Sequence, residues 1–309
     1  MSRRKTAVVV GSGGQDGRLL AQSLKADGFG VMGVTRSGPV DILDAKSVAR
    51  FVARVRPAEI YYVAAYHHSA QDALRDDAEL YRRSHDVNVL GLVHFLEAVR
   101  VKAPEARIFY ASSSRVFGAS AEPMQNERTP LSPRDAYGLT KAAGLLACRL
   151  YRERDGLFAA AGILYNHESP LREPKFLSRK LAIGAAAIKR GGSETLVLGD
   201  LAAEVDWGWA PDYVDAMRRI LRHDRPDDFV VATGRKRSVR DFARAVFAEA
   251  GLDYRRHVRA AAGVLQRRTP TLVGDAAKLR RVTGWRPTVT FEEMARRLVS
   301  AELAGRRGS

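Results

Sequence analysis

The sequence predicts an α/β protein in which helices cover both faces of a doubly wound parallel sheet, followed by a smaller mixed C-terminal lobe. Two observations lead to this fold class. Short β-branched runs alternate with helical patterns through the first half of the chain, which is typical of a parallel sheet. The chain of 309 residues also has the length at which one core begins to divide. We therefore expect one domain over residues 1–166 and a lobe over 167–309, with about 204–233 returning to the first domain.

The elements follow in order along the chain. Residues 6–10 and 30–34 form strands around a helix that carries Leu19, Leu20 and Leu24, which is a βαβ unit. In the lobe, Ser238 with Asp241 three residues later is a variant of the capping box and predicts a helix start. The remaining predictions are strands at 59–64, 107–111 and 157–164, helices at 44–55, 86–99 and 137–153, and, in the lobe, helices at 176–190 and 291–304 with short strands near Leu196 and Phe229.

Composition excludes several classes of protein. Hydrophobic residues make up 46% and Cys148 is the single cysteine, so the chain is neither disordered nor a disulfide scaffold. No apolar run reaches the ~18 residues of a membrane span or resembles a signal-peptide core, and we expect a cytoplasmic protein. The net charge of +16 is compatible with a nucleic-acid binder or with an enzyme of anionic small molecules. Arginines within 149–154 and 218–222 are expected on solvated helix faces.

A glycine-rich turn directly follows the first strand. Gly11, Gly14 and Gly17 stand at GxxGxxG spacing before a helix, where glycines allow a tight turn and close approach to a pyrophosphate. This predicts a dinucleotide-binding first domain. Arg36 follows the second strand, and an arginine there accommodates a 2′-phosphate, which favours NADP over NAD. Asp41 and Asp44 come next; either meets the adenine amine or caps the following helix.

Tyr137 and Lys141 form a YxxxK pair, which places the ammonium and the phenol on one helix face. A nearby cation stabilises a phenolate and makes tyrosine a usable base. The pair lies downstream of the glycine turn and of a serine cluster, residues 112–114, that ends another predicted strand. These residues together indicate an oxidoreductase site.

At this point the chain resembles the extended short-chain dehydrogenase/reductases that act on nucleotide sugars, and within them the GDP-mannose 4,6-dehydratase family. The resemblance implies a Rossmann fold, NADP as cofactor with NAD as an alternative, and a nucleotide-diphosphate sugar, most simply a GDP-hexose, as substrate. The resembling segments are GQDG at 14–17, PAEIYYVAA at 57–65, ASSSRVFG at 111–118, YGLTK at 137–141, GILYNHESP at 162–170, DWGWAPDYVDAM at 206–217 and DDFVVATGRKRSVRDF at 227–242.

The resemblance also implies roles for individual residues. It places Tyr137, Lys141, Ser113 and the Arg115 position in catalysis, and Asn88 where an asparagine helps order the lysine. The implied cofactor-binding residues are Gly11, Gly14, Gln15, Asp16, Gly17, Arg36, Asp41, Ala64, Asn88 and His167. The implied substrate-side residues are His68, Asn166, Glu168, Lys175, Lys180, Arg267 and Arg268.

Arg115 departs from the family pattern. The resemblance implies a glutamate at this position, which removes the C5 proton after C4 oxidation so that water can leave from C6. Arginine stays protonated and cannot serve as that base. Val205, where the family has an arginine, and residues 266–270 are further departures. Most of the family's segment between the second strand and Asp41, which helps its members form tetramers, is missing, so a homodimer is expected, with a homotetramer as the alternative.

Three hypotheses remain open. In the first hypothesis, the protein still catalyses the dehydration, and another carboxylate, such as that of Glu168, serves as the base. Alternatively it carries out only C4 redox chemistry, as a dehydrogenase, reductase or epimerase. A third hypothesis is a non-enzymatic dinucleotide sensor that uses its charge to bind nucleic acid, against which the retained Tyr137 and Lys141 argue. We expect no nucleic-acid, membrane or metal partner, because the adjacent His67 and His68 point apart and lack further ligands at suitable spacing.

Overall fold

The computed structural model describes residues 5–66, 77–261 and 271–305. A six-stranded parallel sheet in the order β2-β1-β3-β4-β5-β9 forms its centre. The strands are β1 Thr6–Val10, β2 Gly30–Val34, β3 Glu59–Tyr62, β4 Arg107–Ser113, β5 Ala159–Leu164, β6 Asn166–Glu168, β7 Leu196–Leu198, β8 Glu204–Trp209, β9 Asp228–Val231, β10 Lys236–Ser238 and β11 Val258–Ala260. The helices are α1 Gln15–Ala26, α2 Ala45–Val55, α3 Asp77–His85, α4 Gly91–Lys102, α5 Ala136–Asp155, α6 Leu177–Lys189, α7 Ala210–Arg222, α8 Val239–Glu249, α9 Tyr254–His257, α10 Ala277–Thr283 and α11 Phe291–Ala304.

The predicted doubly wound parallel sheet is confirmed. Strand β1 pairs with β2 on one side and with β3 on the other. Val10 at the end of β1 lies opposite Val34 of β2 and Tyr62 of β3. The strand order therefore reverses beside β1. Such a reversal opens a crevice outside the carboxyl ends of the strands, which is where ligands bind in this architecture.

The strongly periodic elements match the sequence predictions closely. The bounds of β1, β2 and α11 are as predicted, and the capping box of Ser238 and Asp241 begins α8. The predicted helix at 86–99 instead starts with a π-helical turn, Asp86–Leu90, before α4. Helix α3 and the short strands β6, β8 and β10 were not predicted. These strands form by pairing between segments distant in sequence, and a local pattern does not report such pairing.

The lobe has its own small sheets and its own core. Strands β10, β8 and β6 form one sheet, and β11 pairs with β7. Leu181, Phe242 and Leu298 are fully buried in the lobe core, which α6, α8 and α11 enclose. The chain then returns to the main sheet, since α7 packs on α1 and β9 pairs with β5. In the described ranges, no helix combines the length and apolar character needed to cross a lipid bilayer.

The helix arginines differ from the sequence prediction. Arg149 and Arg152 both form ion pairs with Asp228, whose side chain is buried. Arg218 and Arg222 both reach Asp27 at the end of α1. These residues therefore tie helices to neighbouring elements, and the prediction of purely solvated faces was wrong for them. Their spacing along the helix is the same in either case, so sequence alone does not reveal the distant carboxylate.

Candidate active site

A cavity of about 590 Å³ lies at the carboxyl ends of β1, β4 and β5, between the main sheet and the lobe. Its size falls within the range of small-molecule sites, and its position is that of the crevice created by the strand order. Residues of the glycine turn, the Tyr137/Lys141 pair, the segment after β5 and the lobe strand β8 all line it. The cavity is therefore the candidate active site.

Gly11 and Gly17 are required by the shape of the glycine turn. Gly11 has a φ of +92°, and a Cβ there would stand 2.6 Å from the backbone nitrogen of Ala64. A Cβ on Gly17 would stand 2.2 Å from the carbonyl oxygen of Gly11. Any side chain at either position would push the turn away from α1 or from the end of β3. Ala64 thus meets the turn through its backbone.

The start of α1 at Gly14 has the features of an anion-binding site. Gly14 is the N-cap residue and offers no side-chain cap, so the first backbone N–H groups of a twelve-residue helix are left for another acceptor. A Cβ on Gly13 or Gly14 would come no closer than 3.8 Å and 3.6 Å to any protein atom, and both residues line the cavity. The open space at the helix start fits the pyrophosphate of a dinucleotide.

The residues expected at the adenosine end lie farther out. Arg36 and Asp41 are exposed after β2 and do not line the cavity. Asp41 accepts a hydrogen bond from the backbone N–H of Leu43 at 2.9 Å. Asp44 caps α2 by accepting from the N–H of Lys46. Of the two alternatives left open by the sequence, Asp44 therefore takes the helix cap.

Gln15 and Asp16 connect the glycine turn to the segment after β5. The Nε2 of His167 lies 3.0 Å from an Asp16 carboxylate oxygen. Gln15 accepts from the Ser169 hydroxyl at 2.8 Å and donates to the His167 carbonyl at 3.2 Å. The sequence assigned Gln15, Asp16 and His167 to the cofactor site. All three line the cavity, and their side chains also hold its two walls together.

Burial and charge act together on the Asp16–His167 pair. Burial disfavours the charged form of each group, but the attraction and the hydrogen bond between the two groups outweigh this effect. The pKa of His167 is therefore raised and the pKa of Asp16 is lowered. The imidazole also hydrogen-bonds the Tyr165 carbonyl at 2.7 Å and stacks on Tyr213 with 4.5 Å between centroids. The two residues therefore form a partly buried ion pair in which the imidazole ring is held in position.

Tyr137 and Lys141 lie on the first two turns of α5, at the edge of the cavity. The Ser113 hydroxyl hydrogen-bonds the Tyr137 phenol, and the Lys141 ammonium donates to the Ala111 carbonyl at 2.8 Å. Burial raises the pKa of Tyr137 to about 12, although Arg172 and Ser113 oppose this shift. Burial also lowers the pKa of Lys141 to about 7, with Asp16 opposing. The structure thus brings together three of the four residues that the resemblance places in catalysis, and Arg115 is the fourth.

Asn88 stands apart from the cavity, in the π-helical turn. It is fully buried and does not line the cavity. Its amide donates to the Thr140 hydroxyl at 3.0 Å and accepts from the Tyr66 N–H at 3.1 Å. Asn88 therefore reaches the residue next to Lys141 and not the ammonium itself. This contact is compatible with the expected ordering role, and the assignment of Asn88 to the cofactor site stays a prediction.

Arg115 lines the cavity and forms an ion pair with Asp135. Asp135 is also the N-cap of α5 and accepts from the Gly138 N–H at 2.7 Å. The guanidinium is thereby fixed against the start of the helix that carries Tyr137. The sequence drew attention to Arg115 but not to Asp135.

The substrate-side residues divide into three groups. Asn166, Glu168 and Lys175 line the cavity, and Glu168 is buried between the Ser178 hydroxyl and Arg172. Lys180 does not line the cavity and donates to the Val197 carbonyl at 3.1 Å. Lys180, in the first turn of α6, therefore points toward β7 and away from the cavity. His68, Arg267 and Arg268 lie outside the described residues.

Arg172 is a second cavity-lining residue that the sequence pattern does not reveal. Its guanidinium donates to the His167 carbonyl at 3.0 Å, pairs with Glu168 at 3.1 Å and covers the Phe176 ring at 4.0 Å. Its charge also lowers the pKa of Tyr137. The only local signal was its place two residues after Pro170, which does not distinguish it from other surface arginines.

Comparison with known proteins places this site in a family. A family model described as GDP-mannose 4,6 dehydratase matches residues 38–298. The chain is 35% identical to GDP-mannose 4,6 dehydratase 2 of Arabidopsis thaliana, covering 97% of this chain and 87% of the relative. It is 34% identical to GDP-mannose 4,6-dehydratase of Sinorhizobium fredii, covering 100% and 99%.

Solved structures share the fold over nearly the whole chain. A putative epimerase from Burkholderia cenocepacia has a TM-score of 0.84 and 25% identity, covering 98% of this chain and 99% of its own. UDP-glucose 4-epimerase of Thermus thermophilus, in complex with NAD, has a TM-score of 0.80 and 25% identity, covering 97% and 99%. RMD from Pseudomonas aeruginosa, complexed with NADPH, has a TM-score of 0.82 and 22% identity, covering 97% and 99%.

The Asp16–His167 pair makes stability depend on pH. Because the folded pKa of His167 is raised, its contribution is present below its usual value of 6.5 and lost as pH rises through the folded value. The lowered pKa of Asp16 removes the contribution at the acid end, as pH falls below about 3.8. We expect His167→Gln to reduce the free energy of unfolding by about 2 kcal/mol near pH 5.5 and by less near pH 8.5.

Urea unfolding at both pH values measures this difference. His94→Gln is the matched control, because His94 contacts the Ile42 carbonyl at 2.9 Å and forms no ion pair in the described part of the chain. An equal loss for His167→Gln at both pH values would contradict the ion pair.

Proposed function

The chain belongs to the GDP-mannose 4,6-dehydratase family, and on this premise we propose that it is an NADP-dependent nucleotide-sugar enzyme whose reaction begins with oxidation of a hexose C4 hydroxyl. One observation carries this proposal. Tyr137, Lys141 and Ser113 line a cavity that is also lined by the uncapped start of α1. A dinucleotide sensor needs no such base, and this favours an enzyme.

The glycine turn, Gln15, Asp16 and His167 would hold the dinucleotide, with Arg36 near the adenosine 2′-phosphate if it is NADP. NAD remains the alternative, since Arg36 is exposed and not built into the cavity. Held by these residues, an oxidised nicotinamide would supply the hydride acceptor for C4 oxidation. We place the dinucleotide in the domain of residues 1–166 and the sugar nucleotide against the lobe of residues 167–309. The single buried Cys148 is compatible with a cytoplasmic location.

Tyr137 takes the proton of the C4 hydroxyl in this reaction, and Ser113 orients the phenol. With its pKa at about 12, the phenol remains protonated near neutral pH, so a phenolate forms only where positive charge supports it. Lys141, with its pKa at about 7, supplies part of that charge. In the reverse direction the phenol donates its proton to a C4 ketone. The same pair therefore serves oxidation and reduction.

The substrate side suits an anionic sugar nucleotide. Lys175 lines the same cavity as Asn166 and Glu168 and forms an ion pair with Glu173 at 3.3 Å. We propose that it faces the diphosphate, with Arg267 and Arg268 as further candidates. A GDP-hexose is the substrate class supported by the relatives, which are GDP-mannose 4,6-dehydratases.

A second candidate function, C4 redox chemistry without loss of water, is favoured by the Arg115–Asp135 ion pair. Loss of water from C5 and C6 needs a carboxylate free to take the C5 proton. Three of the described cavity-lining carboxylates are engaged: Asp16 is paired with His167, Asp135 with Arg115 and Glu168 with Arg172. If one of these three serves as the base, it has to be released from its partner, and Glu168 is the candidate.

We propose a homodimer formed through an apolar stripe on α5. Leu139, Leu146 and Leu150 are 47–50% exposed and share one face of the helix with Ala143. Tyr81 and Leu90, on the neighbouring α3 and π-helical turn, extend the patch. A twenty-residue helix with a leucine stripe fits the same stripe on a second copy, as isologous contacts require.

Incubation with GDP-mannose and NADP⁺ tests the proposed function. We expect a C4-oxidised product by mass spectrometry, and we expect Tyr137→Phe to lower the rate by about 10²- to 10⁴-fold. Tyr151→Phe, on the same helix but bonded to Glu97, is the matched control and should retain the rate. Equal rates for Tyr137→Phe and the wild type would contradict the proposal.

The same assay separates the two candidate functions. Under the second candidate, the wild type forms a 4-keto sugar with stoichiometric NADPH, and the double change Arg115→Glu with Asp135→Asn gains the 4-keto-6-deoxy product. The asparagine keeps an acceptor at the start of α5. Arg115→Gln is the control and should gain nothing. A 4-keto-6-deoxy product from the wild type that Glu168→Gln abolishes would instead support Glu168 as the base.

Light scattering after size exclusion tests the dimer. We expect Leu146→Glu to convert the protein to monomers, because the charge would be buried in the centre of the stripe. Leu43→Glu, at a leucine 42% exposed elsewhere, should leave the mass unchanged. A monomeric wild type, or a dimer that persists in Leu146→Glu, would refute this interface.

A further inference from the structure

We propose that Tyr110 is a positioning residue of the site, whose ring keeps the Lys141 ammonium charged and in place without a carboxylate beside it. The inference rests on the proposed function, in which the charge on Lys141 supports a Tyr137 phenolate. Sequence patterns give Tyr110 no role beyond a buried strand position. The contacts around Lys141 assign it one.

The ammonium of Lys141 has three neighbours of the kind that favour a cation. It donates to the Ala111 carbonyl at 2.8 Å. It lies 4.9 Å from the centroid of the Tyr110 ring and 5.7 Å from the centroid of the Tyr137 ring. Both distances are within the range of cation–π attraction. Tyr110 is the nearer ring and is fully buried.

A neutral partner serves this site better than a carboxylate. Burial alone disfavours the ammonium and lowers the pKa of Lys141 to about 7, so some attraction has to retain the charge. A contacting carboxylate would do so, but it would also cancel the field of the ammonium at the Tyr137 phenol. An aromatic face attracts the cation through its quadrupole and leaves the net charge in place. In the described part of the chain, Lys141 forms no ion pair.

Tyr110 is itself held in position from two sides. Its hydroxyl donates to the Asn88 carbonyl in the π-helical turn at 3.1 Å. On the other side, a Cβ on Gly144 of α5 would stand 2.3 Å from the Tyr110 oxygen and 2.5 Å from its ring. Gly144 thus allows the helix that carries Lys141 to lie directly against the ring. Ring, helix and π-helical turn form one packed unit.

The other charged groups around Lys141 do not replace this ring. From α1, Asp16 attracts the ammonium, but its carboxylate oxygens are hydrogen-bonded to His167. Arg172 acts on Tyr137 from across the cavity. Asp135 and Arg115 neutralise each other at the start of α5. Cys148 and Tyr62, the titratable neighbours of Tyr110, are both buried with raised pKa values and are therefore uncharged near neutral pH.

The test is a direct titration of Lys141 in the full chain without substrate or cofactor. Lysine labelled with ¹³C at Cε gives NMR signals that move with the charge on Nζ, and a signal with a midpoint near 7 stands apart from exposed lysines near 10.4. The loss of this signal in the Lys141→Met variant assigns the signal to Lys141. Tyr110→Phe keeps the ring, and Tyr110→pentafluorophenylalanine keeps the shape but reverses the quadrupole.

We expect the midpoint in Tyr110→Phe to stay within a few tenths of a unit of the wild type, and that in the fluorinated variant to fall by about one pH unit. The fluorinated variant should also lose kcat for C4 oxidation with an unchanged KM for the sugar nucleotide. An equal midpoint in the Phe and pentafluorophenylalanine variants would overturn the proposal. Because the titration uses no substrate, it decides on Tyr110 even if the protein proves inactive on GDP-hexoses.

Discussion

The cavity depends on the contact between the glycine turn and the segment after β5. The turn follows the first strand and the segment follows the fifth, so the chain brings together two walls that are about 150 residues apart. The partly buried Asp16–His167 ion pair joins them, and Gln15 with Ser169 adds a second connection. A partly buried pair of this kind is costly to break, because either partner alone would be an uncompensated charge. The walls are therefore held at one separation.

The same low-polarity surroundings govern the chemistry. Burial raises the pKa of Tyr137 and lowers that of Lys141, which works against the charged forms that oxidation requires. The structure offsets this with groups that attract a cation or a phenolate without neutralising the site: the Ala111 carbonyl, the Tyr110 ring, the Ser113 hydroxyl and the Arg172 charge. Pre-organised dipoles in a water-poor site are effective because they need no rearrangement during the reaction.

Part of the basic composition has a structural explanation. Arginines of α5 and α7 are paired with Asp228 and Asp27 and so connect helices to the sheet and to α1. Arg115 is held by Asp135, and Arg172 by Glu168. Since each of these carboxylates cancels a guanidinium charge, the paired arginines account for only a small part of the net charge of +16. Lys175, which lines the cavity, is itself paired with Glu173.

The sequence by itself determined the doubly wound sheet, the glycine turn and the Tyr137/Lys141 pair, because strand alternation, glycine spacing and i, i+4 pairing are local properties. It also identified Arg115 as a departure from the family. Only the tertiary structure decided that Asp135 pairs with Arg115, that Lys180 faces away from the cavity, that Asn88 contacts Thr140, that Arg172 lines the cavity and that the Tyr110 ring lies beside the Lys141 ammonium. Each of these contacts joins residues that are distant in the sequence. Which side chains meet is set by how the elements pack in the fold, and a local sequence pattern does not contain that information.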